Sequence, residues 1–336
     1  MPKEYKPRRS RSLTEGEVRN LTGIPGCPTQ QPYSVYSVVK FLVYALLVFI
    51  IFSGCSGRNE IKHKQLSVGP VIAVSILPQA WFVSRVGGGR AETLVLAGPG
   101  QNPHNYEPSP KQISGLARAD AWILSGAEFE ISLRPKIEKL FPSLPIIDGT
   151  EGVVFRRLEE HNHDAEDDDD HNYDLDRHTW LGSQPAKILA AHIRDTLCGI
   201  DPAGAEQYSE NYRVLAQEID DEFDALRREL APLNGRNIFV YHPSFGYFLD
   251  EFGIQQQAVE TGGKSPGPRD LNRLILLTKQ ERPAAIFVQA QFPVSAAKTV
   301  ANAVGAELIS LDPLAPDWLD NIRFMGEALK AAITIE

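Results

Sequence analysis

The chain has 336 residues, 43% of them hydrophobic, with 34 basic against 43 acidic side chains and a formal net charge of -9. That length allows two domains, and that composition allows a sizeable core. The acidic balance argues against nucleic acid as the main partner.

The N-terminus reads as an address. Lys40 precedes an uninterrupted apolar run at 41–52 (FLVYALLVFIIF), and Ser53-Gly54-Cys55 follows it. A basic flank, a short apolar core and a small-residue cut site describe a secretory signal; a membrane span needs about 20 residues. FSGC is similar to a bacterial lipobox, whose cysteine is lipidated and becomes the first mature residue, although Phe52 stands where that pattern favours Leu. An uncleaved anchor is the alternative, and either way the remainder lies outside the cytoplasm. Residues 1–38 are a long polar leader for a signal, and translation from near Val39 would give a compact one. The chain thus opens with a signal segment at 1–55, lipidated at Cys55, and a tether at 56–68. With Cys27 removed and Cys55 lipidated, Cys198 stands alone and no disulfide framework forms. Its setting (IRDTLCGI) reads as a buried small hydrophobe.

Regular structure begins at 71–77 (VIAVSIL), a short apolar run ended by Pro78 that reads as a buried strand. A helix at 79–86 stops at Gly87-Gly88-Gly89. A strand at 92–97 leads into the loop 101–110 (QNPHNYEPSP), which carries His104. A helix at about 110–118 has Pro at its first turn, and strands at 121–125 and 145–147 follow. Alternating strands and helices predict a parallel sheet with right-handed crossovers.

Residues 159–181 (EEHNHDAEDDDDHNYDLDRHTWL) crowd carboxylates around His161, His163 and His171, and end in His178-Thr179-Trp180-Leu181. Both side-chain types bind divalent metals, whereas a run of like charge by itself reads as a solvated loop. After a helix at 185–197, Asp201-Pro202 opens the longest periodic segment, 203–230. There Tyr208, Tyr212, Leu215, Ile219, Phe223, Leu226 and Leu230 repeat every three or four residues. At 1.5 Å per residue this helix is about 40 Å long, enough to cross one domain and reach another. Pro232 and Gly235 end it.

The remainder repeats the first pattern, with strands at 237–241, 257–260, 284–288 and 307–311. Helices fall at 247–252, 268–279, 294–304 and 316–333. The fold class is α/β: an N-terminal lobe at 69–200 with a His/Asp-rich loop at 159–176, a linking helix at 201–233, and a C-terminal lobe at 234–336.

Four potential metal ligands stand out by position. His104 follows the second strand, His242 ends the first strand of the second lobe, and Asp312 ends its last strand. His178 follows the acidic tract at the start of a helix. Open α/β sheets bind ligands outside the carboxyl ends of their strands. A lone histidine at a strand end is ordinarily structural, but four candidates converging on one edge point to a shared site across a cleft.

Five stretches together resemble one family. They are NPHNYEPSP around His104, DRHTWLG around His178, YHPSFGYF around His242, GKSPGPRDL at 263–271 and LDPLAPDWLDNIRFMGEAL around Asp312. The resemblance, over about residues 69–335, is to the metal-binding receptors of bacterial zinc and manganese ABC importers, the ZnuA/TroA/PsaA-like solute-binding proteins. It implies two parallel-sheet lobes joined by one rigid helix, with the metal in the cleft. His104 and His178 then come from the first lobe, and His242 and Asp312 from the second. It also implies a receptor that is not an enzyme and that partners an importer permease and its ATPase subunit; the chain is expected to act as a monomer, held at the membrane by the lipid on Cys55. Two features depart from the pattern. Gly182-Ser183-Gln184-Pro185 stands where the family has an acidic residue and Pro after His-x-Trp-Leu, and the second-lobe disulfide of some zinc receptors cannot form here.

Three imidazoles and a carboxylate suit tetrahedral Zn2+. Mn2+ is the alternative, although manganese receptors of the family usually carry a carboxylate at the position of His242, as harder ions favour oxygen. His161, His163 and His171 are accessory ligands of a collector loop. A closed four-ligand shell leaves no position for an activated water. A secreted zinc hydrolase would need an open position and a general base, and the chain has no HExxH. A metal-dependent surface adhesin fits the lipid anchor equally well. A receptor for an organic solute would line its cleft with aromatic and hydrogen-bonding groups instead.

Overall fold

The computed structural model of the protein describes residues 69–158, 175–258, 268–281, 283, 285–289, 291 and 295–334. The signal segment with Cys55, the tether, and His161, His163 and His171 of the tract lie outside the described residues. All described residues belong to one compact unit, Ser67–Glu336. Among them no helix is long and apolar enough to cross a membrane.

The first lobe is a parallel sheet of β1 (Val71–Ile76), β2 (Glu92–Ala97), β3 (Ala121–Leu124) and β4 (Ile146–Asp148), in the order β2-β1-β3-β4. Its helices are α1 (Leu77–Gly87), α2 (Pro110–Gly115), α3 (Glu128–Leu140) and α4 (Ser183–Ile200). After the long α5 (Ala205–Glu229), the second lobe repeats the plan with β5 (Asn237–Val240), β6 (Gln255–Ala258), β7 (Ala285–Gln289) and β8 (Glu307–Leu311). That sheet is also parallel, in the order β6-β5-β7-β8. Its helices are α6 (Gly246–Asp250), α7 (Pro268–Glu281), α8 (Ser295–Val304) and α9 (Trp318–Thr334). In each sheet the order reverses beside the first strand, which places a ligand-binding crevice at the carboxyl ends of β1–β3 and β5–β7.

Most elements match the reading of the sequence to within three residues (α4 begins two residues early and ends three late, and α9 begins two late), and two departures have a readable cause. Helix α3 had no counterpart there, because Pro135 lies inside it and reads as a breaker. Pro135 and Ile131, four residues before it, are both exposed, so the carbonyl that loses its partner is on the solvent side of the helix. Strand β6 begins two residues early, at Gln255 rather than Gln257. It is an edge strand whose Gln256 and Ala258 point inward, and a Gln-rich run gives no apolar alternation to read. Cys198 is half-buried rather than buried.

Helix α5 forms because its apolar side chains share one face. Tyr208, Leu215, Ile219, Phe223 and Leu226 are all buried. They do more than bridge the lobes: one apolar cluster runs from Ile72 and Val74 of β1 through α5 to Ile238 and Val240 of β5. Trp318 of α9 packs within it, with ring centroids 5.0 Å from Phe82 and 6.4 Å from Phe223. Each such side chain contributes about 1.5–3 kcal/mol by burial. The lobes therefore share one core, and separating them would expose it.

Candidate metal site

Each histidine is fixed by local chemistry before any metal enters. His104 sits in the loop after β2, where its backbone N–H donates to Asn102 Oδ1 (3.0 Å). The loop is pinned to the end of this edge strand: Tyr106 Oη and Gln112 Nε2 both donate to the carbonyl of Leu96, at 2.6 and 2.7 Å. Ser109 and Gln112 form a reciprocal capping box that starts α2 at Pro110.

His178 precedes a single 3-10 turn, Thr179–Leu181. The second lobe holds that turn. Trp180 Nε1 donates to the carbonyl of Pro313 (2.8 Å), and Trp318 Nε1 donates to the carbonyl of Trp180 (2.6 Å). Helix α4 then begins at Ser183 with no side-chain cap of its own. Its first N–H and the Ser183 hydroxyl donate instead to Glu251 of the second lobe, a favourable place for a carboxylate.

His242 ends β5. The buried amide of Gln289, at the end of β7, clamps its backbone. It accepts from the His242 N–H (3.2 Å) and donates to the His242 carbonyl (2.6 Å).

The three rings meet. Their centroids are 4.5 Å apart for His104 and His242, 5.2 Å for His178 and His242, and 5.6 Å for His104 and His178. One nitrogen from each lies within 4.8 Å of the others, the one such group among the described residues. His178 and His242 are buried, His104 half-buried. They line a cavity of about 20 Å³, bounded also by Glu128, Trp180 and Leu314. That is room for one water or one bare ion.

Carboxylates behind two of the rings decide which nitrogen faces the cavity. Asp176 Oδ1 is 2.8 Å from His178 Nδ1, and Glu128 Oε2 is 3.2 Å from His104 Nδ1. With Nδ1–H directed at a carboxylate, Nε2 keeps its lone pair for a metal. The Nε2 atoms of His104 and His242 are 2.8 Å apart, so one ring donates to the other. Zinc–nitrogen bonds of about 2.0–2.1 Å at tetrahedral angles separate neighbouring nitrogens by about 3.3 Å, so the pair would open by roughly half an ångström as the cation displaces the shared proton.

Burial alone would raise the Glu128 carboxyl. Its hydrogen bond to His104 and the charges of His104 and His178 outweigh that and hold it at about 2. Burial also pushes Asp176 up, but bonds from His178 and Arg156 leave it below the ordinary value.

The fourth expected ligand, Asp312, is outside the group of three. Its Oδ1 accepts from the Leu314 N–H (2.9 Å) and from Gln291 Nε2 (2.6 Å). Gln291 borders the cavity, and its Oε1 is buried with no hydrogen-bond partner. A buried orphan acceptor beside three imidazoles is what a cation, or water on a cation, would satisfy. Glu128, Asp176 and Gln291 were not singled out in the sequence. The strand-end rule that found His242 reaches Glu128 and Gln291, just after β3 and β7, and the spacing to His178 reaches Asp176.

The sequence profile of one family, "Zinc-uptake complex component A periplasmic", matches residues 72–332. The chain belongs to that family. Its members are receptors that bind a metal rather than enzymes. Among relatives, the high-affinity zinc uptake system protein ZnuA of Yersinia pestis is 24% identical over 262 residues, which is 72% of this chain and 82% of that protein. A solved ZnuA deletion mutant with zinc bound is 30% identical, with a TM-score of 0.71, covering 79% of this chain and 98% of the other. The solute-binding protein FpvC of Pseudomonas aeruginosa, solved with Mn2+, is 23% identical with a TM-score of 0.68, covering 80% and 99%. The two-lobed parallel-sheet fold expected from the sequence is thus shared with both solved structures.

Proposed function

We propose that the protein captures zinc outside the cytoplasm and delivers it to an ABC importer, handing the ion to the permease while the ATPase subunit drives uptake. One observation carries this reading: His104, His178 and His242, from both lobes, converge on an ion-sized cavity with two of the rings held by carboxylates. Neutral imidazoles favour zinc over the harder manganese ion. Asp312 supplies the fourth ligand; Pro313 and Leu314, which follow it, already line the cavity. His161, His163 and His171 serve as a cation collector, and a lipid on Cys55 keeps the receptor at the membrane.

The test is zinc titration against a competing chelator. His242→Ala is expected to weaken binding by about 100-fold or more, as loss of a direct ligand must exceed the 10–100-fold typical of supporting residues. Deleting residues 161–171 is expected to change it by less than about threefold, since the three ligands are fixed by other contacts. Equal losses in the two variants would overturn the division between site and collector. Delivery is tested by capture from solubilised membranes, where the lipidated chain should retrieve an importer permease and its ATPase.

A further inference from the structure

The residues that flank the acidic tract pair as a short stem. Arg157 and Leu175 form an isolated antiparallel bridge, and the Asp176 N–H donates to the Arg156 carbonyl (3.0 Å). Within this stem the Arg156 guanidinium spans two carboxylates on different lobes. Nη1 donates to Asp176 Oδ2 at 2.7 Å, and Nε donates to Asp250 Oδ2 at 2.8 Å. The other oxygen of Asp176 is the one that meets His178, accepting from both its backbone N–H (3.0 Å) and its ring. Tyr247 of the second lobe closes the circuit: its hydroxyl accepts from the Arg156 N–H (3.1 Å) and donates to the Asp176 carbonyl (3.1 Å).

The second lobe also leaves room for the guanidinium. A Cβ on Gly246 would lie 1.7 Å from Arg156 Nη1 and 2.8 Å from Asp176 Oδ2. The φ of Gly246 is not positive, so any residue could adopt its backbone conformation. What excludes a side chain there is the arginine.

We infer that Arg156 is a positioning residue for the metal ligand His178. It holds Asp176 against the imidazole and ties both to the second lobe through Asp250, in a slot that only glycine at 246 leaves open. This rests on the reading of the three histidines as a metal site. A planar fork suits the task, because one arginine reaches two carboxylates along fixed directions and lysine cannot.

The experiment compares the full chain with Arg156→Met, Arg156→Lys, Gly246→Ala and the Arg156→Met/Gly246→Ala double variant. Zinc affinity is read by chelator competition, and coordination by the visible absorption of bound cobalt. Arg156→Met is expected to lose about 10–100-fold in zinc affinity, the usual cost of removing support behind a ligand, and to weaken the tetrahedral cobalt bands as His178 loosens. Arg156→Lys should recover only part of this. Gly246→Ala should match Arg156→Met, and the double variant should lose no more than either alone, because both remove the same strut. Wild-type affinity and cobalt spectrum in Arg156→Met, or losses that add in the double variant, would overturn the inference. The underlying site is tested separately: if the unsubstituted chain took up no zinc, the reading of the three histidines would itself fail. Should Arg156→Met not fold, Gly246→Ala and Arg156→Lys decide the matter, since wild-type affinity and cobalt spectrum in both would equally overturn the inference.

Discussion

Glu128 and Asp176 determine which ring nitrogen His104 and His178 offer to a metal, and their removal has a pH signature. The Glu128 carboxyl is depressed from its ordinary 4.5 to about 2. A depressed carboxyl stabilises the folded state above the unfolded value and loses that contribution as pH falls through the folded one. In the metal-free protein, the stability gap between wild type and Glu128→Gln should therefore close as pH falls from about 4.5 to about 2. Denaturant titrations across that range measure it, and a gap that did not vary with pH would contradict the pairing with His104. Zinc binding should depend on pH in the opposite region. It needs neutral imidazoles, so affinity should fall steeply below about pH 6, by up to three protons per metal.

His104 and His242 were legible because each sits beyond a strand end, and His178 because it follows the acidic tract at the start of a helix. Their carboxylate partners were not. Glu128 begins a helix that Pro135 conceals, and there it resembles any acidic residue favoured in a first turn. Asp176 is one acid among many at the edge of the tract, and only the ring of His178, 2.8 Å away, sets it apart.

Among the elements, the turn Thr179–Leu181 and the segment around Pro313 depend on the opposite lobe. Each has a local hydrogen bond, from the Leu181 N–H to the His178 carbonyl (3.3 Å) and from the Ala315 N–H to the Asp312 carbonyl (3.2 Å), and each is also tied across the lobes by an indole. Trp180→Phe keeps a ring but strands the buried Pro313 carbonyl without its donor. The expected cost is about 1–3 kcal/mol of stability, with weaker zinc binding because His178 opens that turn. Thermal unfolding with and without zinc measures both, and wild-type stability would rule out the indole bond as a support. The sequence announced strands, long periodic helices and their order. It could not announce cross-lobe bonds of this kind, because Trp180 and Pro313 are 133 residues apart and nothing local marks them as partners. The Gly182-Ser183 departure from the family pattern has a similar answer, since Glu251 of the second lobe brings a carboxylate to the start of α4.

At the scale of the molecule, α5 is part of a continuous core rather than a free connector. Urea unfolding of the metal-free protein should accordingly be a single cooperative transition, coincident by fluorescence and circular dichroism. Zinc should raise its free energy by about 2.7 kcal/mol at a free concentration one hundred times Kd. Two separated transitions would mean that the lobes fold independently and that closure can be large. A shared core limits metal capture to small adjustments around the cavity, such as the parting of His104 and His242 as the cation enters.

The central claim is that three histidines from two lobes form one zinc site. Native mass spectrometry after exposure to an equimolar mixture of zinc and manganese, with residues 161–171 deleted, addresses it most directly. One zinc per chain, lost in the His242→Ala variant, is the predicted result. Predominant manganese, or zinc retained at full stoichiometry without His242, would contradict it.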